Sequence, residues 1–551
     1  MTMRIAARMG AGIVIFMVAA AVAILLSAKA LLNGVVKEHL LRVANGRPGT
    51  SLSLGTIRYD FLSDRISCDR LSCTLTDIGS EGDTISLAAN ALSCSDINWL
   101  RVLLGRGFTC GDLVVKGMHG RVASLDEKRL SPVRRRRKDQ QPRGSSALFM
   151  PIFVGRLSAS GDELSYTTRS ASEIEHDSVT RFAVTIENLH LELGSEEQLE
   201  SALARARIEC ETERVGFRIP GSAYRIGFAS GRVSESKSMV EFDSLRVTPT
   251  LSDTEFFASN RFGSTRYRLA IGRIAAHGLD LAGLLKEEKY TARSISITQP
   301  VVDIAVNKRR VSDTGKDGGQ HGGPAADSTK MPNEILAGIK ARLDIDSVSV
   351  NRGTIEYAEL YPNSSTPAAL RWSGVRLAAA GISNRKTTAD SSSRIEASGM
   401  FLDTARMVVS MELPLGSRKF SLSCQGTVDA LPRSSLNRFL EVAERIRVTS
   451  GRADSIKFAL AARDGRSSGT VRPFYHDLEI EMLARQSGHS NGLPQKVGTM
   501  LADIKIKDDN MPDGSGGIRQ GPIEYVRNPE DPFFRFLWFS LRDGLGKVVG
   551  F

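Results

Sequence analysis

A chain of 551 residues is too long for one ordinary domain. With 41% hydrophobic and 25% charged residues it can bury a core, which excludes a wholly disordered polymer, while 50 Gly against 6% aromatics suits many short strands and turns. The net charge of +11 and pI near 9.4 suit an anionic partner, nucleic acid or lipid headgroups, and do not choose between them.

A short tail, residues 1–8, carries Arg4 and Arg8, and Met9 to Ala28 follows as 20 residues without a charge. At about 1.5 Å per residue a helix of that length crosses roughly 30 Å of hydrocarbon. Residues 9–30 are therefore expected to form a transmembrane anchor, with Ile13, Val14, Ile15, Phe16, Val18, Val22, Ile24, Leu25 and Leu26 against lipid. The competing reading is a cleaved signal peptide, since Ala28-Lys29-Ala30 mimics an A-x-A site. An apolar run longer than the usual h-region of about 7–15 residues favours the anchor. Lys29, Lys37, Arg42 and Arg47 follow the span closely, so the positive-inside rule leaves its orientation open. Residues 31–48 keep helical spacing and read as an amphipathic stalk.

From residue 50 an eight-position pattern recurs: two apolar residues at period two, two polar or small residues, then two more apolar residues at period two. Its members are Ile66, Cys68, Leu71, Cys73; Phe108, Cys110, Leu113, Val115; Val184, Ile186, Leu189, Leu191; and Val240, Phe242, Leu245, Val247. Leu269, Ile271, Ile274, Ala276; Tyr290, Ala292, Ile295, Ile297; Leu343, Ile345, Val348, Val350; and Leu370, Trp372, Val375, Leu377 continue it. A plain strand would send the second pair to the opposite face. A β-bulge, two residues opposite one, restores both pairs to one face and bends the strand. The alternative is two short strands joined by a tight turn. Either way the fold class is mainly β, a curved antiparallel sheet with one apolar face, short helices and a helical C-terminus. Closure, a second sheet or an open groove could satisfy that face. As a groove it would be lined by Leu113, Val115, Leu189, Leu191, Leu245, Val247, Ile295, Ile297, Val348, Val350, Val375 and Leu377.

A second repeat, G-x-I-x-Y, occurs at Gly55 to Tyr59, Gly353 to Tyr357 and Gly521 to Tyr525, with a looser copy at Gly161, Leu164 and Tyr166. Tyr at a strand end packs its ring and keeps a polar tip, so the repeat speaks for modular architecture. Two linkers divide the strands. Residues 126–147 contain the run Arg134 to Lys138 among Pro, Gln and Ser, and residues 312–333 are rich in Gly and Asp. The β units are then 49–125, 148–311 and 334–528, followed by a C-terminal helix over 529–551. The basic run lacks interleaved aromatics and reads as a solvated loop, so no nucleic-acid partner is expected.

Reactive motifs are sparse. The six cysteines form no CxxC and no His stands at ligand spacing beside them, which argues against structural zinc. Buried free thiols are expected, a Cys68–Cys110 disulfide being the alternative in an oxidising compartment. Gly465-Arg466-Ser467-Ser468-Gly469 matches G-x-S-x-G, but a hydrolase elbow needs a helix after the Ser, and here Pro473 and a period-two segment follow. No cofactor, metal or reaction is expected. In the tail, Phe534, Leu537, Trp538, Leu541 and Leu545 fall along one side of a helix with Arg535, Arg542 and Lys547 as its polar remainder. That suits an interfacial helix, or equally a plug that covers the last open strand.

The anchor, the segment LSLGTIRYDFLSDRISCDRLSCTL and the segment NALSCSDINWLRVLLGRGFTCGDLVVKGMHGRV together resemble the AsmA-like family of bacterial envelope proteins, to which TamB-type proteins are related. Ile274 to Ile304 repeats the strand, short helix, strand unit, and Gly469 to Arg527 with its FFRFLWFSLRDGL tail is similar to the C-terminal region of a branch without an assigned role. The resemblance implies a single-pass inner-membrane protein with a β-rich periplasmic body. Its partners would be inner-membrane lipids, phospholipid cargo and other envelope or outer-membrane proteins, and it would move phospholipid toward the outer membrane or maintain that membrane.

Overall fold

A computed structural model describes residues 41–42, 45–46, 49–60, 63–76, 84–103, 106–124, 151–169, 174–191, 202–203, 205–219, 222–259, 264–285, 289–308, 330–361, 364, 366–385, 392–483, 509–512, 517–529, 531 and 533–550. The expected anchor, most of the stalk and the 126–147 linker lie outside these residues. Among the described residues no helix is long and apolar enough to cross a membrane. The described residues are mainly β, 66% of them strand, and divide into two compact units, one within residues 1–246 and 277–288, the other within 247–276 and 289–551.

The first unit contains β1 (Thr50–Leu54), β2 (Ile57–Asp60), β3 (Arg65–Thr76), β4 (Thr84–Ser95), helix α1 (Trp99–Leu103), β5 (Phe108–Ser124), β6 (Ile152–Arg169), β7 (Ile174–Leu191), β8 (Arg207–Arg218) and β9 (Tyr224–Ser234). β10 (Met239–Pro249), α2 (Asp253–Ser259), β11 (Thr265–His277) and α3 (Leu281–Leu285) follow. The second unit continues with β12 (Lys289–Asn307), α4 (Pro332–Ala337), β13 (Arg342–Leu360), β14 (Ala368–Ser383), β15 (Ser393–Phe401), β16 (Ala405–Leu413) and β17 (Ser421–Val428). It ends with α5 (Arg433–Ala443), β18 (Ile446–Arg463), β19 (Arg466–Met482), β20 (Gly521–Val526) and α6 (Phe533–Val549).

Consecutive strands from β3 to β9 and from β12 to β20 are hydrogen-bonded neighbours, with β1 and β2 both on β3. The sheet is antiparallel as expected except at two places, since β5–β6 and β12–β13 are parallel. A parallel partner requires the chain to return to the same end of the sheet, which a tight turn cannot do. The long connections that do so are the segments read as linkers. The second of these is shorter than expected: Met331 is a core residue and α4 begins at Pro332.

The eight-position pattern is present, and its middle step is mostly not a bulge. Arg70, Asn188 and Ser244 have φ of 59°, 59° and 54°, in the left-handed region. The β3–β4 ladder runs from Asp69↔Ala91 to Leu71↔Ala89 without a shift, so Arg70 and its neighbour Asn90 change phase together. Both flanks of each strand then stay on one face: Ile66, Cys68, Leu71 and Cys73 are buried, and so are Leu87, Ala89, Leu92 and Cys94 opposite them. The kinks line up across strands. The Gly111 N–H donates to the Asp96 carbonyl, Gly111 faces Gly155, and Gly155 faces Asn188. A Cβ on Gly155 would lie 2.7 Å from the Gly111 oxygen, so this crossing needs a glycine. In the second unit Gln299 and Arg352 (φ 53° and 56°) lie side by side on β12 and β13. At Gly374 (φ 59°) the expected bulge is found, the β14–β15 register shifting between Ser373 and Arg376.

Outer sheet edges carry unpaired backbone groups, and side chains satisfy several of them here. The Asn45 amide accepts from Leu52 N–H at 2.6 Å and donates to Leu52 C=O at 3.2 Å on β1. On β20, Asp543 of α6 accepts from Glu524 N–H at 2.8 Å and Lys547 donates to Pro522 C=O at 3.1 Å.

Candidate apolar trough and its cover

The expected lining positions divide into sealed and open ones. Leu113, Val115 and Leu189 are at most 1% exposed in the first unit's core, so the expectation that they line a groove gives way. The core that seals them runs from β1 to β7 and takes in Ile97, Ala202, Ala206 and Leu41, which come from outside the strands. Leu191 is on β7, but its side chain lies outside the described residues. Leu245 and Val247 are half-buried on β10 with Ser244 exposed between the flanks.

In the second unit Ile295, Ile297, Val348, Val350 and Leu377 are half-buried, and Val375 is buried. Register places them in two adjoining rows: Ile295 beside Val348 beside Ala379, and Ile297 beside Val350 beside Leu377. None of the three buried clusters includes those five half-buried side chains. The rows continue through Ile395 and Ala397 to Met411 and Val409, half-buried, where Ile395, Met411 and Val409 already pack against the second unit's buried core. The opposite face at these strands is polar and exposed, with Asp346, Ser347, Ser349, Arg376 and Arg394. β12–β14 thus carry an apolar strip two residues deep, half-buried except at the buried Ala379.

Beyond the Gln299–Arg352 kink the same face is covered. Leu370 and Ala368 are buried beneath Phe439 and Ala443 of α5, with Trp372, Phe401 and Trp538 packed against them. Two carboxylates are buried at this end. Glu359, 7% exposed, accepts from Tyr357 Oη at 2.8 Å and from Tyr361 Oη at 2.5 Å. Burial, then the Glu359 charge, pushes both phenols well above their ordinary range. Glu444, which caps α5, accepts from Arg542 Nη1 at 3.0 Å and from Trp538 Nε1 at 3.3 Å. Its pKa is raised, burial outweighing the Arg542 charge.

The C-terminal helix packs on β19 and β20. Its buried stripe is Phe536, Ser540, Gly544 and Val548, while Leu537, Trp538, Leu541 and Leu545 flank it half-buried and Phe534 is 57% exposed. The expected apolar side was displaced because small residues at i, i+4 spacing let the helix axis approach the sheet. Ser467 lies in this contact, 2.7 Å from the Ser540 hydroxyl and 4% exposed. Asp464 and Gly465 (φ 49° and 78°) are the two-residue turn between β18 and β19, so the G-x-S-x-G stretch is an Asp-Gly hairpin and the strand after it.

The repeated tyrosines share one arrangement. Tyr59 donates to Asp64 at 2.7 Å, Tyr357 to Glu359, and Tyr525 to Asp531 at 2.8 Å. Asp64 also accepts from Trp99 Nε1 at 3.1 Å and Ile97 N–H at 3.3 Å. Sequence spacing did not reveal these acceptors, which stand five, two and six residues beyond their tyrosines. None of the six cysteines is in a disulfide, and five of them are buried. Compared with known proteins, the chain matches no family model and no curated sequence.

Proposed function

We propose that the chain is a membrane-anchored protein of the bacterial cell envelope, AsmA-like in build, that takes phospholipid acyl chains onto the open face of β12–β14 and serves transport toward, or upkeep of, the outer membrane. The observation that carries this reading is the pair of apolar rows on β12–β14, whose side chains Ile295, Ile297, Val348, Val350 and Leu377 are half-buried and belong to none of the three buried clusters. Acyl chains gain about 0.8 kcal/mol per CH₂ removed from water, so such a strip binds them without a specific ligand set. The uncharged run Met9 to Ala28 supplies the inner-membrane anchor, with the β body in the periplasm. On this reading the protein acts without catalysis, by holding acyl chains against apolar side chains.

Mass spectrometry of the detergent-extracted protein tests it, together with photo-crosslinkers at Ile297, Val350 and Leu377 and controls at Ser349 and Ala378 on the other face. Phospholipid should co-purify and crosslink at the first set alone. A lipid-free protein with silent trough positions would end the proposal. A scaffold without lipid cargo draws on the sealed core around Leu113 and Leu189, and it predicts that silent result.

A further inference from the structure

Four of the six cysteines lie in the core of the first unit, on three adjoining strands: Cys68 and Cys73 on β3, Cys94 on β4 and Cys110 on β5. Cys94 stands opposite Leu113 in the β4–β5 ladder. The same register runs on past the end of that ladder, since Gly111 N–H donates to Asp96 C=O and Asn98 N–H to Thr109 C=O, which sets Cys110 beside Ile97. Asp96 has φ 55°, and this left-handed step returns Ile97 to the buried face that Cys94 already occupies. Cys94 and Cys110 are therefore diagonal neighbours on one face, each 1% exposed. Their thiols meet: the hydrogen bond to Cys110, ahead of burial, holds the Cys94 thiol well above its ordinary range. Cys68 is placed differently. It faces Leu92, so β4 separates it from Cys110 by two strand spacings, roughly 9–10 Å, beyond the reach of a disulfide. That distance rules out the Cys68–Cys110 pairing. Cys68 does lie diagonal to Cys94, but its thiol donates to the Asp69 carbonyl at 3.8 Å.

We propose that Cys94 and Cys110 are joined by a disulfide when the chain folds in an oxidising compartment, closing a short loop that carries α1. The proposal rests on reading the β body as periplasmic. The two thiols give up two protons and two electrons as the S–S bond forms, and the disulfide of a thiol–disulfide oxidoreductase takes them up to become a dithiol. Only a thiolate attacks, and the folded core suppresses it at Cys94, so the bond forms before β4 and β5 are buried and is sheltered from reductants afterwards. It fastens to the sheet the segment whose Trp99 indole and Ile97 N–H reach Asp64. The full chain, extracted from envelopes with N-ethylmaleimide present and mapped by peptide mass spectrometry without reductant, tests it. A Cys94–Cys110 link should be found in most molecules and be lost in Cys94→Ser and Cys110→Ser, while Cys68→Ser retains it. The reduced, refolded protein should unfold several degrees lower. Mapping of the parent chain carries the test if a serine variant misfolds. Alkylated Cys94 and Cys110 in a body that protease reaches in spheroplasts, or a link through Cys68, overturns the proposal. Alkylated thiols in a protected body mean instead that the periplasmic reading has failed. Refolding in oxidised glutathione then decides: a Cys94–Cys110 link supports the pairing, and its absence overturns the disulfide as well.

Discussion

Gly521 of β20 and Gly544 of α6 touch backbone to backbone: a Cβ added at Gly521 would lie 1.8 Å from the Gly544 carbonyl oxygen. At Gly544 itself a Cβ would meet the Val471 side chain at 2.6 Å, Ile523 at 3.0 Å and the Gly521 oxygen only at 3.1 Å. Gly521→Ala should therefore cost about 1–3 kcal/mol by overpacking. Gly544→Ala should cost distinctly less, because alanine regains about 1 kcal/mol of helix propensity. Denaturant unfolding of the two variants decides, and equal losses would show that this contact is not the limiting one.

Asp64 gathers three donors, the Tyr59 hydroxyl, the Trp99 indole and Ile97 N–H. Its hydrogen bond holds the Tyr59 phenol above the ordinary value. Asp64→Asn keeps the left-handed backbone (φ 42°) and removes the charge. The loss should be about 1–2 kcal/mol. In a spectrophotometric titration Tyr59 should ionise at lower pH in the variant than in the parent. An unmoved titration would mean that Asp64 does not control the phenol.

Glu444 fixes a pH dependence with a definite sign. Its folded pKa is raised above 4.5 by burial, so the native state holds this proton more tightly than the unfolded chain does. The resulting stabilisation is fully present below about 4.5 and is lost as pH rises through the folded value. Glu444→Gln removes the ionisation, so stability measured across that window should lose this part of its decline. A parallel pH profile in variant and parent would contradict the assignment.

The kinked rows carry their own test. Asn188 sits at φ 59°, where asparagine is tolerated and a β-branched residue is strained. Asn188→Val should cost about 1–2 kcal/mol, and Asn188→Gly should be close to neutral. Thermal unfolding of both separates left-handed strain from loss of the amide, since strain alone spares glycine.

Much of this sheet was readable from residue order, because paired apolar residues at fixed offsets declare a shared face whatever the backbone does between them. Leu87, Ala89, Leu92 and Cys94, and Ile152, Val154, Leu157 and Ala159, follow the same spacing and are buried, but their alanines weaken the apolar signal. Leu113 and Ile297 look alike in sequence, yet one is sealed and the other only half-buried. Cover comes from elements remote in the chain, and local patterning carries no record of them. The contact stripe of α6 was missed for a related reason: Ser540 and Gly544 are chosen by the closeness of the sheet, which hydrophobicity does not register.

The edge contacts of Asn45 on Leu52 and of Asp543 and Lys547 on β20 have a colloidal consequence. A foreign strand arriving there must first strip a charged or amide side chain from the backbone groups it seeks, and Pro522 offers it no N–H at all. Copies crowded together in one compartment should therefore remain separate particles and resist templated fibre growth, even though the described residues are mainly the extended backbone that fibres are made of.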